Sequence, residues 1–120
     1  FIDSWEKLPL FASQHSLSPE VRAALRAQRL HNRATGLANS LRGVGTGVQP
    51  ALHERLPALN LPVLLLAGEL DGKFCQIARQ MAGQIPQARL QIVPGSGHTI
   101  HLEQPARFAG HVCEFCQMVC

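Results

Sequence analysis

One stretch, residues 62–101, constrains the fold more than any other. It reads PVLLLAGELDGKF, then a helical pattern, then LQIVPGSGHTIH. Residues 63–67 form an unbroken apolar run of strand length closed by Gly68. Such a run suits a strand buried on both faces, as in a parallel sheet. Asp71 follows its end. Residues 90–93 form a second short β-type run, closed by Pro94 and Gly95, and His98 follows that one. Between the two runs, Phe74, Ile77, Ala78, Met81 and Ile85 recur at helical intervals, which predicts a helix over 73–85. The unit is strand, acid loop, helix, strand, histidine loop. In open α/β sheets the chemistry gathers at the carboxyl ends of the strands. Both Asp71 and His98 fall there, 27 residues apart, which leaves room for one helix and one strand between them.

An acid after one strand and a histidine after the next resembles the C-terminal end of the α/β-hydrolase fold, where the chain order is nucleophile, acid, histidine. The first member has no counterpart here. No G-x-S-x-G occurs, and Ser96 sits in PGSGH, where Pro94 holds the place of the first glycine. The chain starts at Phe1. The expectation is the C-terminal part of a longer protein, with the nucleophilic serine outside these residues.

Composition narrows the alternatives. At 46% hydrophobic residues the chain is not disordered as a whole. A net charge of +3, with no basic run, one Trp and no Tyr, gives no case for nucleic acid. No apolar run is long enough for a bilayer, so no membrane is expected. Cys113, Cys116 and Cys120 lie in FAGHVCEFCQMVC and share one face of a terminal amphipathic helix. Zinc would need a fourth ligand, such as His111 or Cys75, and the usual second Cys/His pair is not evident. The reading is therefore no metal and packed, reduced thiols in a cytoplasmic protein.

Residues 1–56 read as helical, and residues 57–120 supply the strands. Phe1, Ile2, Trp5, Leu8 and Phe11 stand at helical spacing, interrupted by Pro9. Their aromatics either anchor a short helix or make a pocket wall. Ser18-Pro19 is a helix start, with Ser as N-cap and Pro at the first helical position. The helix that follows carries Arg22, Arg26, Arg29 and Arg33 within about 60° of one another. Such a stripe is either a solvated face or a platform for an anion with several carboxylates, which the planar guanidinium suits. A helical piece begins at residues 37–41 and breaks at RGVGTG, which lacks the spacing of a phosphate loop. A last short helix, PALHERL, precedes the first strand. His101 reads as support for the histidine loop, and the other histidines have no informative context.

Several stretches together resemble one branch of the α/β hydrolases, the 2-succinyl-6-hydroxy-2,4-cyclohexadiene-1-carboxylate synthases of menaquinone biosynthesis. They are Trp5-x-x-x-Pro9-Leu10-Phe11, Arg29-x-x-Asn32, GLANSLRGVGTGVQP, GELDGKF and GSGHTIHLEQP. The resemblance covers essentially the whole chain. It implies a partial α/β-hydrolase fold, with a helical cap segment at 1–56 and the last two parallel strands of the core at 57–120. It also implies a lyase that eliminates pyruvate without a cofactor and acts on a small anionic substrate with several carboxylates. In that family His98 matches the general base and Asp71 the carboxylate that sets its tautomer. Arg29 matches an arginine that binds substrate carboxylate, and Trp5 and Phe11 match aromatic residues near the pocket. Two other readings share Asp71 and His98: an ordinary serine hydrolase, and a truncated copy without activity. Two strands leave both sheet faces and an edge uncovered, so poor stability is expected of this piece alone.

Overall fold

The computed structural model describes residues 1–119. Helix α1 spans Ile2–Trp5, and a 3-10 segment follows at Pro9–Ser16. Proline at the head of that segment is what separates the two, since it cannot donate into a continuing α-helix. Helix α2, Pro19–Leu30, opens on Ser18, whose hydroxyl accepts the Val21 N–H at 3.3 Å. Helix α3 spans Ala34–Val44, and the last helical turn before the sheet is a 3-10 piece, His53–Ala58. Arg33 is the residue before α3 and lies outside α2, so the arginine stripe is three residues long on its helix.

The sheet has two strands, β1 (Val63–Gly68) and β2 (Ala88–Val93), paired in parallel from Val63 opposite Ala88 to Gly68 opposite Val93. Helix α4, Gly72–Ala82, joins them and covers one face. The register puts Leu65 beside Leu90 and Ala67 beside Ile92 on that face. Ala67, Cys75 and Ala78 form the core there, with Leu90 and Ile92 packed against it. Leu64 and Leu66 point to the opposite face and are only half-buried. Leu65 is half-buried as well, so the run falls short of the full burial expected of it on both faces until Ala67 and Gly68. The far side is not bare: Arg89, on the Leu64 side of the sheet, reaches Met118 at 2.8 Å, and Val93 is fully buried. Leu41, Val44, Val48, Leu52 and Leu61, by contrast, are exposed.

Helices α5 (Ile100–Glu103) and α6 (Pro105–Val119) close the described chain and pack on each other. The inward face of α6 is Phe108, His111, Val112 and Phe115, all half-buried. Cys113 and Cys116 lie about 80° to 140° away from Phe108 and are exposed. This overturns the expectation of packed thiols: the aromatic and valine positions take the buried stripe instead. Cys120 lies outside the described residues. Cys75 is the buried thiol, and its Sγ contacts the Gly68 carbonyl oxygen at 3.1 Å. Among the described residues no group of three or more potential ligands could hold a metal. None of the described helices is long and apolar enough to cross a membrane.

Candidate active site

Both loops that carry the candidate residues leave the sheet at the same end. Gly95 makes the turn after β2 with φ +66, a conformation that a residue with Cβ rarely adopts. The two loops are tied together by backbone. Glu69 N–H donates to Val93 O at 3.0 Å, and Leu70 N–H donates to Ser96 O at 2.9 Å. The Glu69 carboxylate accepts the Gly95 N–H at 2.9 Å. Gly68 is the closest crossing. A methyl carbon there would stand 2.7 Å from the Ser96 carbonyl carbon and nearer still to the Ser96 and Gly97 carbonyl oxygens. Only glycine lets the histidine loop lie this near to β1.

Asp71 is the N-cap of α4. Its Oδ1 accepts the Phe74 N–H at 3.2 Å, and its Oδ2 lies 2.7 Å from Nδ1 of His98. One carboxylate oxygen therefore anchors the side chain to the helix while the other faces the imidazole. A charged acceptor at Nδ1 sets the tautomer with the proton on Nδ1 and leaves Nε2 bare as a base. The Asp71 side chain is 6% exposed and that of His98 31%, so the carboxylate is shielded and the imidazole is reachable.

Around His98 the walls are aromatic. Phe74 packs at 4.7 Å between ring centroids and Phe11 edge-on at 6.1 Å. Phe11 in turn meets Trp5 at 4.3 Å. Of the two aromatics named from sequence, Phe11 thus touches the histidine directly and Trp5 touches it through Phe11. Phe1, by contrast, is 81% exposed and anchors nothing. A cleft of about 510 Å³ opens between the Pro9–Ser16 segment and the two loops, lined by Leu10, Ser13, Asp71, Lys73, Phe74 and His98. Ser96 is fully buried and its hydroxyl has no hydrogen-bond partner among the described residues, so it offers no accessible nucleophile.

Arg29 is placed elsewhere. Its guanidinium lies over Trp5, 4.9 Å from the ring centroid, and 5.8 Å from that of Phe11. It lines a smaller concavity of about 260 Å³ with Glu6, Phe11, Gln14, Arg22 and Arg26. Phe11 forms a wall of this space and also touches His98. The terminal nitrogens of Arg29 already have partners: Nη1 donates to Glu6 at 2.9 Å and Nη2 to Gln14 Oε1 at 2.9 Å. Arg26 shares Glu6 at 2.7 Å and reaches Asp3 at 2.5 Å. The Arg29 hydrogen bond, with Arg26 beside it, holds the Glu6 carboxyl below its ordinary value against burial. Arg26 and Arg29 are therefore neither free nor fully solvated; they tie α2 to α1 and its C-cap Glu6, while Arg22 is exposed and makes no ion pair among the described residues. His101 is exposed and leans edge-on against Phe108 at 5.9 Å, away from the cleft.

The sequence reading missed Glu103, Ser13 and Gln14. Glu103 accepts hydrogen bonds from the histidine loop, and Gln14 is buried between Arg29 and Thr99. Glutamate at the end of a short helix carries no local mark of such a role. A buried glutamine in a 3-10 turn shows itself only once the partners are in place.

Comparison with known proteins follows the same lines. Residues 3–111 match the model of the alpha/beta hydrolase family. A Bacillus subtilis (strain 168) protein provisionally named 2-succinyl-6-hydroxy-2,4-cyclohexadiene-1-carboxylate synthase is 48% identical over 115 residues, 96% of this chain and 42% of that protein. The synthase of Salmonella typhimurium is 38% identical over 102 residues, 85% of this chain and 37% of its own. The solved structure of MenH from S. aureus superposes with a TM-score of 0.96 at 42% identity, covering 98% of this chain and 44% of that one. The chain thus spans about two fifths of the length of the curated relatives it matches.

Proposed function

The chain belongs to the alpha/beta hydrolase family, and from that premise we propose that it supplies the acid and the histidine of a pyruvate-eliminating lyase of menaquinone biosynthesis. The product is 2-succinyl-6-hydroxy-2,4-cyclohexadiene-1-carboxylate, and the serine comes from outside these residues. The observation that carries the reading is the Asp71–His98 pair at 2.7 Å, in a chain similar to such a synthase over 96% of its length. Residues 1–56 act as the cap segment and residues 57–120 as part of the catalytic core. The enzyme works in the cytoplasm on a small substrate with several carboxylates.

In this reading a ring proton passes by way of the serine oxygen to Nε2 of His98. The electron pair it leaves becomes the new ring double bond, and the pyruvate unit departs with the pair of the bond that breaks. Asp71 supports the imidazolium while it exists. Phe74 and Phe11 cover two sides of the imidazole and leave the rest of it open to the cleft. Arg29 binds a substrate carboxylate at the edge of the aromatic wall, and that carboxylate competes with Glu6 for the guanidinium.

The test is pyruvate release by the complete protein, with Asp71→Asn and His98→Ala beside it. A positioned general base contributes roughly 10²–10⁴-fold, so kcat is expected to fall by that order in both variants. A second reading, an ordinary serine hydrolase, is favoured by one observation: both terminal nitrogens of Arg29 are used inside the fold. Hydrolysis of a neutral ester without pyruvate release, and without sensitivity to Arg29, would establish it instead. A folded complete protein with neither activity would be the inactive copy.

A further inference from the structure

The lyase reading gives no task to Glu103, yet this carboxylate gathers four donors. Its Oε2 accepts the Gly97 N–H at 2.6 Å. Its Oε1 accepts the Thr99 hydroxyl at 2.8 Å, the Thr99 N–H at 3.2 Å and the Ser13 hydroxyl at 3.0 Å. Two of these donors are the backbone N–H groups immediately before and after His98. The peptide on which the imidazole stands is therefore clamped on both sides by one side chain. Burial opposes the charge of Glu103, but the donors outweigh it and hold the carboxyl below its ordinary value.

A second chain of hydrogen bonds reaches the same carboxylate. Arg29 donates to Gln14 Oε1 at 2.9 Å, Gln14 Nε2 donates to the Thr99 hydroxyl at 3.1 Å, and that hydroxyl donates to Glu103. Gln14 and the Thr99 hydroxyl each accept on one side and donate on the other, so every contact in the relay pairs a donor with an acceptor. The loop of His98 and the segment bearing Arg29 are thus joined through polar groups that are buried or half-buried.

We propose that Glu103 is the positioning residue of this site: through Gly97 and Thr99 it fixes the backbone that presents His98 to Asp71, and through Ser13 and Gln14 it locks the helical segment onto that loop. The kinetic side of this proposal rests on the lyase reading; the geometric side does not. A carboxylate is needed because both oxygens must accept. Glutamine has the same shape but turns one acceptor into a donor, which then faces either Gly97 N–H or the Thr99 and Ser13 donors. A buried donor left against a donor makes the loop retreat.

The experiment uses the complete protein and Glu103→Gln, with Glu114→Gln, exposed on α6, as the control. Three quantities are read: kcat and KM for pyruvate release, the thermal midpoint, and the downfield proton resonance of His98 Nδ1–H. Glu103→Gln is expected to lower kcat by about ten- to a hundredfold, the order that a 1 Å misplacement costs. KM should stay nearly unchanged and the His98 resonance should broaden or vanish, in a protein still folded at the assay temperature. The control should match wild type throughout. Unchanged kcat and an unchanged resonance in folded Glu103→Gln overturn the proposal. Should that variant fail to fold, Thr99→Val removes the hydroxyl that joins Gln14 to Glu103 and takes its place. A several-fold lower kcat with a weakened resonance supports the proposal, and wild-type values overturn it. If the wild-type protein releases no pyruvate, the lyase reading fails alone, and the resonance still decides for or against Glu103.

Discussion

Replacing Gly68 by alanine tests the close crossing on which the site depends. The backbone of Gly68 lies outside the left-handed region, so the residue is required for space and not for its φ. An alanine methyl would stand 2.7 Å from the Ser96 carbonyl carbon. Carbon–carbon contacts settle at about 3.5–4.0 Å, so the histidine loop must retreat by roughly 1 Å. The obstructing atoms are backbone, and no side-chain rotation relieves them. Overpacking of this kind costs about 1–3 kcal/mol. The catalytic cost is expected to be larger. A shift of that size takes the 2.7 Å Asp71–His98 contact out of hydrogen-bond range, and such a misplacement lowers a rate by about 10²-fold. Denaturant melts and pyruvate-release kinetics on the complete protein measure the two costs separately. Gly110 on α6 has open space around the position of a Cβ, so Gly110→Ala is the control. It should stabilise by roughly 0.4–1 kcal/mol and leave kcat alone. A folded Gly68→Ala enzyme with wild-type kcat would refute the claim that this crossing sets the place of His98.

Other expectations follow from single contacts. In the proposed substrate-binding role, Arg29→Ala should lower kcat/KM by on the order of ten- to a hundredfold, since a hydrogen bond to a charged group contributes roughly 1.5–3 kcal/mol. Arg29→Lys should recover part of that, and Arg22→Ala should change little. Because Arg29 also holds Glu6, Glu6→Gln measures the structural share; an effect as large as that of Arg29→Ala would remove the substrate role. The depressed Glu103 carboxyl makes a stability contribution that is complete above the ordinary glutamate value of 4.5 and is lost as pH falls through the lower folded value. Urea midpoints from pH 6 downward should therefore fall more steeply, below about pH 4.5, for wild type than for Glu103→Gln, and parallel curves would contradict the ionised clamp. With an aromatic disulfide reagent, Cys113 and Cys116 should react as free thiols in the native protein, while Cys75, 3% exposed, should wait for unfolding. Fast labelling of Cys75 would show that the core of α4 opens easily.

By itself the sequence determined the unit of strand, acid loop, helix, strand and histidine loop. Apolar runs at 63–67 and 90–93, the helical spacing between them and the punctuation by Gly68, Pro94 and Gly95 are local signals, and local sterics suffice to read them. The parallel pairing and the meeting of Asp71 with His98 followed, because both residues leave the same end of neighbouring strands. The Ser18 cap was legible for the same reason: its partner lies three residues on. Tertiary structure alone decided the rest. Burial of a strand face depends on what packs over it, so the run in β1 could not reveal that Leu64 and Leu66 lie half-open. The face of α6 that turns inward was set by Phe108, Val112 and Phe115, not by the cysteines, because larger apolar side chains gain more from burial. The partners of Arg29 lie 15 and 23 residues away in the chain, and those of Glu103 include Ser13, 90 residues away. A charged side chain states in the sequence what it can bind; which partner satisfies it is fixed only when the fold brings that partner within hydrogen-bond reach.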